Sequence, residues 1–274
     1  MSITSLLSAL PGAVAQGLIW GIMAIGVNIT YKVLDYSDLT VDGTMATGGA
    51  VCVMLMINGV NVWISLICAV IAGMLAGLVT GIFKTKMGIP AILSGILTQL
   101  ALYSINLWIM GFKANQGINV TKYNLIVSAR NVRHLALDNP IIALVIITAI
   151  VIVLLYWFFG TELGCSLRAT GCNVHMAKAQ GINVDHCTRI GLMLSNGIVT
   201  LSSALFAQYQ GSVGLKLVGV SLGAVIYYIV IQVVLWLGLN TNLLKLLSAL
   251  IVALFLAIPY WTARYSQKHV KGAH

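Results

Sequence analysis

Residues 62–83 read VWISLICAVIAGMLAGLVTGIF, a run of 22 positions without a charged side chain. Coiled as an α-helix it is about 33 Å long at ~1.5 Å per residue. That matches the hydrocarbon core of a bilayer, which takes about 20 apolar residues. The same ruler, moved outward along the chain, finds further segments at 12–31, 39–57, 89–111, 140–159, 189–208, 215–237 and 243–261. The expected fold is all-α: one polytopic transmembrane helix bundle over residues 1–274, with about eight hydrophobic segments.

Composition supports this. Hydrophobic residues make up 59% of the 274 positions, charged residues 8%, and the mean hydropathy is +0.99. Soluble domains carry about 25% charged residues, so water could not solvate this surface, whereas lipid can. The first charge is Lys32, and residues 1–31 lack a basic leader or clear cleavage site, so they read as a first span rather than a signal peptide. The net charge of +9 would suggest nucleic acid in a soluble protein, but here basic residues flank the spans. The five cysteines are odd in number and suggest no disulfide framework. Cys165, Cys172, His175, His186 and Cys187 are too irregularly spaced for a zinc site, so no metal is expected. No G-x-x-x-x-G-K-[ST] stretch occurs, leaving the chain without visible means of hydrolysing ATP.

Two long loops, 112–139 and 160–188, flank one span and must lie on opposite sides of the membrane. Lys32, Lys84 and Lys86 share the side of 160–188, while Lys216, Arg264, Lys268 and Lys271 share the other. The positive-inside rule leaves the orientation open on that count.

Gly73, Gly77 and Gly81, and Gly17 with Gly21, form GxxxG patterns, which serve helix packing within one chain or a dimer seam. The second segment is unusual, since Asp38, Thr40, Asp42 and Thr44 enter an apolar run beside Gly43, Gly48 and Gly49. Intramembrane acids usually face a cavity, and these glycines predict a broken second helix of the kind transporters use. Alternatively, Asp38 caps a helix at the membrane surface. In the fourth segment Gln99, Tyr103 and Asn106 fall on one helix face, to line a path or to bond neighbouring helices.

Residues 38–43, DLTVDG, resemble the DLSVG-type signature of sugar and branched-chain amino-acid ABC permeases. LDYSDLTVDGTMATGG (34–49) is similar to a subgroup of amino-acid permeases, some linked to tryptophan or tyrosine uptake. IPAILSGILTQLALYSINLWIMGFKAN (89–115), TELGCSLRATGCNVHMAKAQGINV (161–184) and NLLKLLSALIVALFLAIP (242–259) continue the match in order. The string at 161–184 resembles the cytoplasmic loop that such permeases insert into their ATPase.

The resemblance implies a bacterial cytoplasmic-membrane importer subunit, not itself an enzyme and without a cofactor of its own. ATP and Mg would bind a partner ATPase, an extracytoplasmic solute-binding protein would deliver the solute, and a second permease copy would complete the pore. Residues 173–180 would form a cytoplasmic coupling helix between Gly171 and Gly181, glycines able to end helices. Asn173, Met176, Ala177 and Lys178 would meet the ATPase, with Met176 and Ala177 entering its groove. Solute contacts would come from Asp38, Thr40, Asp42, Thr44, Gln99, Tyr103 and Asn106. The family pattern also implies a further glycine-rich apolar stretch after the sixth span, where this chain runs directly from Gly211 toward Lys216. The rival from the residues alone is a self-sufficient ion-coupled transporter built on Asp42.

Overall fold

A computed structural model of the chain describes residues 3–113, 115–117, 126–127 and 140–214. Eight α-helices occur among them: α1 (Ile3–Asn28), α2 (Thr40–Ile57), α3 (Val62–Thr85), α4 (Ala91–Ile109), α5 (Pro140–Gly160), α6 (Glu162–Cys172), α7 (Val174–Ala179) and α8 (Val184–Gln210). Six of these, all but the short α6 and α7, are long and apolar enough to cross a membrane. They match the first six segments read from the sequence. The segments at 215–237 and 243–261 lie outside the described residues, which end at Gly214 within the stretch after Gly211 where the shortfall is expected.

Successive spans alternate in direction. One face of the bundle therefore holds the α1–α2 and α3–α4 connections together with α6 and α7, which link α5 to α8. The opposite face holds a two-stranded antiparallel ribbon, β1 (Asn115–Gly117) with β2 (Ser212–Gly214). Exposed aromatics mark both boundaries. Trp63 and Trp108 stand near the ribbon face, Tyr31, Tyr156 and Trp157 near the α6–α7 face, as amphipathic rings do at headgroup level.

Helix composition sorts helix position. In α5, apolar on all sides, few residues are buried, and Val145, Ile146, Ile152, Val153 and Leu154 are exposed, which suits lipid. In α8, most positions are buried and many are small or hydroxylated: Gly191, Ser195, Asn196, Gly197, Thr200, Ser202, Ser203 and Ala204. Small residues let backbones approach where lipid gives no hydrophobic drive between helices. Three neighbours use that surface. A β carbon at Gly26 of α1 would crowd Ser195 and Val199, one at Gly48 of α2 would strike Thr200, and those at Gly73, Gly77 and Gly81 of α3 would strike Thr200, Leu192 and Arg189. The α3 glycines thus serve packing inside the chain. Hydroxyls of α8 seal the same contacts by donating to neighbouring carbonyls: Ser195 Oγ to Gly26 O at 2.8 Å, Ser202 Oγ to Ile19 O at 2.6 Å, and Ser203 Oγ to Met45 O.

The second helix corrects the sequence reading. It is unbroken from Thr40 to Ile57, because Gly43 and Gly48 are occupied as close-approach points against α4 and α8. The irregular backbone lies before it. α1 ends in a π-helical turn (Ile29–Val33) in which Leu34 N donates to Ile29 O at 3.0 Å. Asp35 then takes φ 50°, a left-handed conformation that Asp tolerates better than most residues. Residues 36–39 have no regular secondary structure and lead into the start of α2.

Candidate functional site

The irregular segment feeds a polar network inside the bundle. Asp38 Oδ1 accepts from Thr40 N at 2.9 Å, holding the first turn of α2, while Oδ2 accepts from Asn196 Nδ2 of α8 at 2.8 Å. Asp38 thus touches both the start of α2, where Leu39 is the cap residue, and the interior helix α8. Asn196 also donates to Leu192 O at 3.0 Å and accepts from Thr44 Oγ1 at 2.8 Å. Burial pushes the Asp38 carboxyl above its ordinary range, and the bonds from Thr40 and Asn196 oppose that rise.

A second chain of hydroxyls crosses three helices. Thr40 Oγ1 lies 2.9 Å from Thr80 Oγ1 of α3, which donates to Thr98 Oγ1 of α4 at 2.9 Å, which donates to Ser94 O at 3.0 Å. One donor direction satisfies every member, as buried hydroxyls in a low-dielectric interior require. Tyr36 OH meets Ser94 Oγ at 2.6 Å, and its desolvation raises the phenol pKa. Replacing Thr80 with valine keeps the shape and removes both of its hydroxyl links. At about 0.6–1.7 kcal/mol per membrane hydrogen bond, the purified variant is expected to lose about 1–3 kcal/mol. Thermal unfolding in detergent measures this, and an unchanged midpoint would show that the chain of hydroxyls adds no stability.

The expected solute contacts separate by environment. Thr40 and Thr44 are buried with their hydroxyls engaged, and Asp38 is half-buried with both oxygens engaged. Asn106 is buried and donates to Gly43 O at 3.3 Å, and its Oδ1 has no partner among the described residues. Asp42 and Gln99 are half-buried, whereas Tyr103 is 54% exposed. The buried face of α4 is Ser94, Gly95, Thr98, Leu102 and Asn106, so the stripe through Tyr103 is rotated away from it. Sequence reasoning missed Tyr36, Thr80, Ser94, Thr98 and Asn196. The spacing of Ser94, Thr98 and Asn106, with Leu102 between, was the available signal.

The α6–α7 hairpin refines the second expected site. Asn173 is not inside a helix but joins two: it ends α6, and its Oδ1 accepts from His175 N at 3.0 Å and Met176 N at 3.1 Å to start α7. Gly181, with φ 80°, turns the chain after α7. Gly171 does not end a helix. It lies within α6, where a β carbon would strike the Val33 carbonyl. Met176 is 60% exposed and Lys178 is exposed, but Ala177 is 1% exposed and packs against its own chain. Of the pair expected to enter a partner's groove, Met176 alone points outward.

Six membrane-length helices, three of them packed on the small-residue surface of α8, with a structured hairpin at one face, define a polytopic membrane protein. Residues 10–268 match the family described as "Branched-chain amino acid transport system / permease component", and the chain belongs to that family. It is 34% identical to the tyrosine transport system permease protein of Clostridioides difficile (strain R20291), over 92% of this chain and 91% of that one. It is 33% identical to the uncharacterized protein RP368 of Rickettsia prowazekii (strain Madrid E), over 78% and 74%. A shorter match, 33% identical over 23% of this chain and 18% of the other, joins it to the fructose import permease protein FruF of Bifidobacterium longum (strain NCC 2705). No solved structure matches. As an ABC permease component the chain is not the ATPase and carries no cofactor; ATP is bound by a partner subunit, and the family works with a solute-binding protein. Membership of this family decides against the self-sufficient ion-coupled transporter.

Proposed function

We propose that this chain, one permease unit over residues 1–274, imports an amino acid with an aromatic side chain. The observation that carries the substrate class is the 34% identity, across about nine-tenths of both chains, to a permease named for tyrosine transport. Two copies form the path, because a symmetric ATPase pair presents two equivalent docking faces and each chain supplies one α7.

The α6–α7 face is cytoplasmic. Lys32, Lys84, Lys86, Arg168, Lys178 and Arg189 gather there, in keeping with the positive-inside rule. Met176 and Lys178 meet the ATPase, Asn173 and Gly181 shape the helix that presents them, and Gly171 and Ala177 seat it on the bundle. Closure of the ATPase pair around ATP shifts the permease between its two accessible states by binding one of them better.

Among the solute-contact candidates, Asp42, Gln99 and Asn106 keep polar atoms with no partner among the described residues, and Asp42 is suited to a substrate ammonium. Tyr103 belongs to the same path at its exposed edge. Asp38, Thr40 and Thr44 serve the path by shaping it.

Proteoliposomes holding this chain with its ATPase and solute-binding protein are expected to accumulate radiolabelled L-tyrosine only with ATP inside. Asp42→Ala is expected to lower uptake about tenfold, the loss of one charge-assisted contact, at unchanged expression. Uptake without the ATPase would overturn the importer reading. ATP-dependent uptake of other solutes but not of tyrosine would overturn the substrate alone.

A further inference from the structure

The segment between α1 and α2 touches more of the bundle than its length requires. On one side it is pressed by α6. Gly171 sits so close to the Val33 carbonyl and to Leu34 that a β carbon has no room. Leu34 and Tyr36 share a buried cluster with Leu167 of α6 and Leu192 of α8, and Gly191 opens space for the Leu34 methyls. On the other side its polar groups reach three spans: Tyr36 to Ser94 of α4, Asp38 to the first turn of α2, and Asp38 again to Asn196 of α8. Asn196 in turn holds Thr44 of α2.

Close packing transmits displacement, since interiors have low compressibility. The Gly171 contact leaves α6 no slack, so a shift of the α6–α7 hairpin must move residues 33–36. Beyond them the tie to α8 is the bond that Asn196 Nδ2 donates to Asp38 Oδ2 at 2.8 Å. Stapling alone would not need a carboxylate there. Asp38 is desolvated, and among the described residues no basic side chain pairs with it, an arrangement that costs stability.

We infer that Asp38 and Asn196 form the joint through which movement of the α6–α7 hairpin reaches α2 and α8, making both positioning residues of the transport cycle. The inference rests on the reading of α7 as the ATPase-facing element. Asp38→Asn is nearly isosteric but sets an amide against the amide of Asn196, or turns its oxygen away from Thr40 N. Asn196→Asp sets two carboxylates together. The exchange Asp38→Asn with Asn196→Asp restores a donor facing an acceptor, and keeps acceptors for Thr40 N and Thr44 Oγ1.

The test is amide hydrogen exchange on the full complex with its ATPase in nanodiscs, with and without ATP trapped by vanadate. The accompanying readout is ATP hydrolysed per solute-binding-protein stimulus. In the wild type, trapping is expected to change exchange both in α6–α7 and in residues 34–44. In each single variant the α6–α7 response is expected to persist, while the response at 34–44 and the stimulated hydrolysis fall about tenfold. The double exchange is expected to recover most of both. Single variants that transmit like the wild type would overturn the joint, as would a double exchange no better than either single one. A wild-type complex whose α6–α7 amides ignore ATP would overturn the ATPase-facing reading itself, and the joint with it.

Discussion

Gly77→Val is expected to leave little or no folded chain. The added β carbon points at the Leu192 carbonyl of α8, and a backbone oxygen cannot rotate away as a side chain can. α3 and α8 would have to separate along a seam where Gly73 is also tight against Thr200 and Gly81 lies close to Arg189. Overpacking usually costs about 1–3 kcal/mol. Here the collision is with a helix backbone, and separating it also loosens the neighbouring contacts, so a loss above about 4 kcal/mol is expected. Against a total stability of about 5–15 kcal/mol, that suffices to deplete the folded fraction in detergent. Gly21→Ala is the matched control, because a β carbon there meets nothing within 4 Å. Size-exclusion profiles and thermal unfolding compare the two. A Gly77→Val protein as monodisperse and stable as Gly21→Ala would refute the tight α3–α8 seam.

Met176→Asp is expected to cut recovery of the ATPase with the purified permease at least tenfold while leaving the permease folded. Met176 is exposed on α7, and a flexible thioether suits a partner's apolar groove. Truncating or charging such an anchor costs about 2 kcal/mol or more of binding. The position is the third of its helix, after the Asn173 cap, where an acid is favourable to the helix dipole. The variant therefore changes the surface without unwinding α7. Ala177→Asp is not equivalent, since it would bury a charge against the chain's own bundle and lose assembly through misfolding. Normal ATPase recovery with Met176→Asp would remove α7 from the docking surface.

The two predictions also show where sequence reading succeeds and where it stops. The glycine spacing in α3 was visible, but a GxxxG ridge looks the same whether its partner is α8 or another copy. Only the placement of Leu192, Asn196 and Thr200 opposite it decided for packing within the chain. The α7 helix was legible from its flanking residues, yet helical periodicity over so short a stretch did not tell that Ala177 faces inward. In the second segment the glycines suggested a break. In the structure they fit against α4 and α8, and the break falls earlier, at the π-turn and Asp35.

By itself the sequence determined that this is a membrane-spanning helical protein, where its first six spans lie, and which family its ordered motifs point to. Those properties are local, since a span needs only enough consecutive apolar residues for a bilayer and a motif only its own residues. The tertiary structure decided which helix is the hub, which glycines are interior, and that Asp38, Thr40, Thr44, Thr80, Thr98 and Asn196 bond across four helices. Those are pairings between residues far apart in the chain, 183 positions in the case of Ser202 and Ile19, and a hydroxyl or amide in an apolar run carries no mark of the distant group that will satisfy it.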